Sequence, residues 1–245
     1  MTLSPTQGHL VASTGEFVGT FWFLFFAYAG QLMVINQAAQ ASGSATGLGP
    51  SLTIYVALAW LDGFSLLVTV WAMYRISGGC FNPALIASIC AGAVVKVLFP
   101  GNIASLNTKL ASGVNIAQGL FAEMFFTSYL VFVVLILAAE KSRDTFIAPV
   151  GIGLALFVAE IPGVYFTGGS LNPARSFGCA VAAPYFIGYH WIYWVGPALG
   201  AMLASGYYRF VKLCHYEEAN PGQDAAAPLE QERSTGRNMT HVDEV

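Results

Sequence analysis

Long runs of residues without a charged side chain constrain this sequence most. Residues 17–35 and 176–208 carry no charge at all. Residues 49–74, 114–139 and 146–166 carry one each: Asp62, Glu123 and Glu160. A helix needs about 20 mostly apolar residues to cross a bilayer. These runs therefore predict an all-α, multi-pass membrane protein with five clear spans. Of the 245 residues, 56% are hydrophobic and 9% charged. Soluble domains carry about 25% charged residues, so an ordinary soluble globule is excluded. Ten Lys and Arg with a net charge of −3 also argue against a nucleic-acid partner.

Charge also divides the chain. Residues 215–245 hold seven acids and two bases, and read as a disordered acidic tail. Residues 1–11 read as a short N-terminal segment and 12–214 as the membrane domain. Residues 37–48 read as a small polar loop. No basic stretch precedes the first apolar run, so no cleaved signal peptide is expected. The four cysteines show no metal-binding spacing, and no metal or cofactor is expected. No nucleophile elbow, phosphate loop or metal-ligand pattern is present, so the sequence does not point to an enzyme.

Arg75, Lys141, Arg143, Arg209 and Lys212 follow spans. Clustered bases mark cytoplasmic ends, so both termini are expected inside, with the plasma membrane the expected location. Arg75 and Lys141 must then be separated by an even number of crossings. Residues 114–139 supply one. Either residues 80–99 cross as one helix, or the two halves depart from their normal relative orientation.

A motif occurs twice. Ser77-Gly78-Gly79-Cys80-Phe81-Asn82-Pro83-Ala84 matches Thr167-Gly168-Gly169-Ser170-Leu171-Asn172-Pro173-Ala174. Glu16 precedes Thr20 as Glu123 precedes Thr127, so each half reads span, span, motif. Broken apolar segments at matching positions in two halves point to a conduction or binding site. Proline at a first helical position lacks an N–H that would be orphaned anyway. Asparagine caps the helix start and can turn its amide toward a pore. Two positive helix ends meeting there would repel cations and orient water. After Asn172 there is room for a short helix and a full span. After Asn82 only residues 85–99 are apolar, room for one short helix, so the first half lacks its third span.

On these motifs, and on segments such as HWIYWVGP, residues 12–214 resemble the aquaporins of the major intrinsic protein family, in their fungal water-type form. The resemblance implies a right-handed inverted-repeat bundle with two Asn-Pro-Ala half-helices, a homotetramer in membrane lipid, and one pore per subunit. It implies passive passage of water and small uncharged solutes. It makes Asn82 and Asn172 the pore asparagines and Glu16 and Glu123 supports of the motif loops. Arg175 follows the second motif directly and becomes the filter arginine; an intramembrane Arg is functional by default. Counted from the motifs, Asp62, Glu160 and Gly169 fill the other filter positions. The water-type pattern has rings at the first two, so this filter is acidic and its selectivity altered. Ser176, Ala180, Tyr193 and Trp194 match the water-type rather than the glycerol-type pattern. Two alternatives remain: a non-conducting member lacking a span, and a proton-coupled transporter using the intramembrane acids. Cys80 is a candidate thiol beside the pore. His190, with Trp191, reads as an interface residue. Asn238-Met239-Thr240 is a glycosylation sequon in the tail.

Overall fold

The computed structural model describes residues 4–42, 52–82, 84–140 and 143–219. Seven helices carry the architecture: α1 (Pro5–Ser42), α2 (Leu52–Ser77), α3 (Leu85–Leu98), α4 (Ile116–Val134), α5 (Ala148–Phe166), α6 (Pro173–Ala182) and α7 (Ile192–Leu213). A single turn, α8 (Tyr216–Ala219), follows. No strand occurs among the described residues.

Burial is inverted relative to a soluble protein. Trp22, Phe26, Trp60, Val68, Trp71 and Phe125 are exposed, while Asp62, Glu123, Glu160 and Arg175 are buried. An apolar exterior around a polar interior suits a bilayer. Four described helical stretches are long and apolar enough to cross one: Pro5–Gln40, Thr53–Ser77, Ile116–Ala139 and Thr145–Phe166. Helix α7 has 22 residues, about 33 Å at 1.5 Å each.

Boundaries follow local chemistry. Asn115 opens α4 through a reciprocal pair of bonds with Gln118, each 2.9 Å. The end of α4 widens into a π turn over Leu135–Ala139, and Tyr74 donates to the Ala138 carbonyl there at 3.0 Å. Helix α1 begins at Pro5, before the expected boundary at residue 12, and runs on through Ser42. Residues 37–42 are therefore helical, not loop. Gln and Ala dominate that stretch, and both are good helix formers. The remainder of the expected loop and residues 220–245, including the sequon, lie outside the described residues.

Helix α3 departs most from expectation. Its 14 residues amount to about 21 Å, too short to cross alone. It runs beside α6, and in the same direction. Ser88 donates to the Ala174 carbonyl. Gly92 faces Ala182, and Lys96 donates to the Ala182 carbonyl at 2.9 Å. It also climbs parallel to α1, where Tyr28 meets Ser88 and Asn36 donates to the Pro100 carbonyl. Between Gly15, which faces Ser77, and Asn36, α1 advances about 31 Å, the thickness of the hydrocarbon core. From Ser77 to Pro100 the chain thus advances beside α1 over that distance, with α3 as the helical part of the run. That length suits the second crossing expected from the charge pattern. The direction of α3 also corrects the expected head-on meeting of two half-helices, because α3 and α6 start near one another and then run side by side.

Close approach makes that pairing possible. A methyl group on Gly178 would collide with Ser88, and one on Gly92 would crowd Ala182. Small residues at helix contacts let backbones approach in membranes.

Candidate functional site: a buried chamber between two motif loops

The two motif loops have the same backbone shape. Gly78, Gly79 and Phe81 take φ of 91°, 69° and 48°; Gly168, Gly169 and Leu171 take 84°, 60° and 48°. Positive φ is routine for glycine and costs an L side chain about 1–2 kcal/mol, so Phe81 and Leu171 need support. A carboxylate supplies it in each half. Glu16 accepts from the Cys80 and Phe81 amides at 3.1 and 2.7 Å. Glu123 accepts from the Ser170 and Leu171 amides at 3.0 and 2.9 Å, and from the Thr167 hydroxyl at 2.6 Å. Each unusual residue in turn offers its carbonyl to the asparagine of the other motif. Asn172 donates to the Phe81 carbonyl at 2.7 Å and Asn82 to the Leu171 carbonyl at 3.4 Å. Each amide nitrogen keeps a second hydrogen.

The motifs differ at the helix start. Asn172 caps α6, accepting from the Ala174 amide at 2.9 Å, with Pro173 in the first turn. In the first motif the cap position belongs to Ala84, with no side-chain bond, and α3 opens at Leu85. The expected cap by Asn82 therefore does not form. Pro83 lies outside the described residues.

Asp62, Glu160, Asn82, Asn172 and Arg175 line one chamber of about 50 Å³. Cys80 also reaches its wall. Glu160 is 2% exposed, and its Oε2 has no hydrogen-bond partner. Gly169 lies against that carboxylate, leaving no room for a Cβ. Arg175 donates through Nη1 to the Leu106 carbonyl at 2.9 Å and through Nη2 to Gln31 at 3.0 Å; its Nε is unpartnered. Gln31 donates onward to Asp62 at 2.5 Å. Neither carboxylate pairs with Arg175 directly; the neutral amide of Gln31 stands between Arg175 and Asp62. Beyond Arg175 and Gln31 opens a vestibule of about 330 Å³, lined also by Tyr55, Asn107 and Lys109.

Several of these residues carried no motif signal. Gln31 was visible only as a polar amide in an otherwise apolar span. Tyr28, which donates to the Arg175 carbonyl at 2.5 Å, and Leu106, which acts through its backbone, gave no signal. Ser176, Ala180, Tyr193 and Trp194 line neither cavity. Ser176 shares its hydroxyl with Ser170 at 2.6 Å and Thr108 at 2.9 Å. Tyr193 donates to the Thr167 carbonyl at 2.7 Å, and Trp194 packs edge-on against Phe177. Ser176 and Tyr193 thus brace the second loop, and Trp194 packs on α6. In the turn before α7, His190 packs edge-on against Phe186 and Tyr193.

Residues 5–87 and 85–208 match the model of the major intrinsic protein family. The chain belongs to that family. The two matched segments meet just after the first motif, where the sequence runs short. The chain is 57% identical to "Probable aquaporin-3" of Gibberella zeae over 246 aligned positions, covering 91% of this chain and 85% of that one. It is 50% identical to "Aquaporin-7" of Botryotinia fuckeliana, covering 91% of this chain and 54% of that one, so it spans about half of that relative. Among solved structures it resembles the aquaglyceroporin from Plasmodium falciparum. The TM-score is 0.71 at 19% identity, with 86% of this chain and all of that one covered, a likeness of fold. Family membership makes this a multi-pass membrane protein of the aquaporin type.

Proposed function

We propose that this family member is a passive pore for water and small uncharged solutes, working as a homotetramer with both termini cytoplasmic in the plasma membrane. One observation carries the reading: two like-shaped motif loops close on each other around a polar chamber, and Arg175 stands between that chamber and an open vestibule. Irregular backbone at membrane depth is tolerated where it lines a wet cavity. In this reading Asn82 and Asn172 each offer a remaining amide hydrogen to a water oxygen. Arg175, held by Gln31 and the Leu106 carbonyl, sets the width and charge of the opening, with Asp62 and Glu160 behind it. Gly169 leaves the space that Glu160 occupies. Glu16 and Glu123 hold the loops.

The supports named for Glu16 and Glu123 also weigh against a proton-coupled transporter. Both carboxylates are committed to backbone amides and are not free to relay protons.

Stopped-flow shrinkage of proteoliposomes under an osmotic step tests the proposal. Wild-type vesicles should shrink faster than empty ones, and Asn172→Asp should lose most of the gain, because a carboxylate cannot donate to water or to the Phe81 carbonyl. Inserted wild-type protein that adds nothing to the empty-vesicle rate would favour the non-conducting reading.

A further inference from the structure

We propose that Gln31 is the positioning residue of the pore mouth: it keeps the Arg175 guanidinium off Asp62, and so sets the size of uncharged solute that passes. This rests on the pore reading above. The backbone of Arg175 is clamped. Tyr28 donates to its carbonyl at 2.5 Å, and Ser88 donates to the carbonyl of Ala174 just before it. Only the side chain is left to move. Gln31 stands three residues after Tyr28, on the same face of α1. One helix therefore holds both ends of the arginine. The guanidinium itself has two bonds, from Nη1 to the Leu106 carbonyl at 2.9 Å and from Nη2 to Gln31 at 3.0 Å. Its Nε has no partner. Gln31 thus supplies one of only two bonds that fix the group. It is buried, and it borders the vestibule together with Leu106 and Arg175.

Asp62 is the second seat for the guanidinium. The Gln31 amide donates to Asp62 Oδ2 at 2.5 Å, so a single amide group separates that oxygen from Arg175 Nη2. A carboxyl oxygen accepts such a bond whether the group is ionised or neutral. Removing the amide orphans a donor and an acceptor side by side. Buried polar groups without partners are costly, and these two relieve one another by pairing. One ionised carboxyl suffices, because it balances the one guanidinium. Glu160 does not compete, since its unpartnered Oε2 is packed against Gly163 and Gly169. Turning onto Asp62 takes the guanidinium into the space that the amide held and off the Leu106 carbonyl. Arg175 borders both the vestibule and the chamber, so the way between them then widens. The Leu106 carbonyl is left without its donor, so the shifted arrangement is also the less stable one. In the native chain the amide fills that space and binds both neighbours. The solutes it holds back are short polyols, which are uncharged and wider than water.

Proteoliposomes of the full chain test this, with water permeability read from osmotic shrinkage and polyol permeability from re-swelling in ethylene glycol or glycerol. Gln31→Ala should raise the ratio of polyol to water permeability about tenfold, the discrimination that one pocket contact carries. Gln31→Met, which keeps the bulk and loses the bonds, should raise it in the same direction and serves if the alanine variant does not insert. Gln31→Glu should hold the ratio near the native value, because one carboxyl oxygen accepts from Arg175 and the other, protonated, donates to Asp62. The deciding variant combines Gln31→Ala with Asp62→Ala. It removes the second seat, so the guanidinium stays on the Leu106 carbonyl and the ratio falls back toward the native value. A ratio that rises further in the double variant would show that lost volume alone opens the mouth, and would overturn the proposal. An unchanged ratio in Gln31→Ala, or loss of its water flow after insertion, would also overturn it and leave the water pore standing. Native protein that inserts and adds no water flow would overturn the pore reading as well.

Discussion

Gln31 joins two charges that do not touch. Its carbonyl takes Arg175 and its amide serves Asp62. All three side chains are buried. Gln31→Ala would strand a guanidinium N–H and a carboxylate oxygen together. Leaving a buried polar group unsatisfied costs about 1–3 kcal/mol. Thermal unfolding in detergent should move down accordingly, and an unchanged transition would show that water replaces the amide without loss. Such a relay is hard to read from sequence. Asp62 and Glu160 stand out as single charges in apolar runs, but a lone Gln does not announce what it bridges. Arg175 was legible from its place after Asn172, whereas its acceptor on Leu106 is a backbone carbonyl that no side-chain pattern encodes.

At the scale of elements, α3 holds the first half of the repeat together. Its shortness was legible, since only residues 85–99 are apolar between the first motif and the next polar stretch. Its direction was not. Direction is decided by packing: Gly92 and Gly178 admit close contact, and Lys96 reaches the last carbonyl of α6. A cation at a helix C-terminus opposes the negative end of its dipole. Lys96→Met should therefore destabilise the fold by about 1 kcal/mol, read as a lower unfolding temperature in detergent. Lys96→Arg should recover most of it. The motif loops were more legible because both halves repeat the same glycines, asparagine and proline. The cap at the start of α3 was not, since the structure gives that place to Ala84. The ends of α1 were misplaced because a Gln- and Ala-rich stretch looks like a polar loop yet favours helix.

For the whole molecule, the consequence is a first half whose path after its motif differs from that of the second. In the second half a short helix, a turn and a long helix follow the motif. In the first half only α3 follows the motif before the chain reaches Pro100, and on our reading the loop and α3 together make the crossing. Everything proposed about conduction depends on this placement, because it puts both motif loops at one depth. Side-specific thiol labelling tests it most directly. The four native cysteines are replaced, and Ile76→Cys (beside Arg75) or Ser112→Cys (in the segment before α4) is then introduced. A membrane-impermeant reagent applied to sealed, oriented vesicles should label the two positions from opposite sides. Labelling of both from the same side would contradict the crossing of residues 78–99, and with it the arrangement of the chamber.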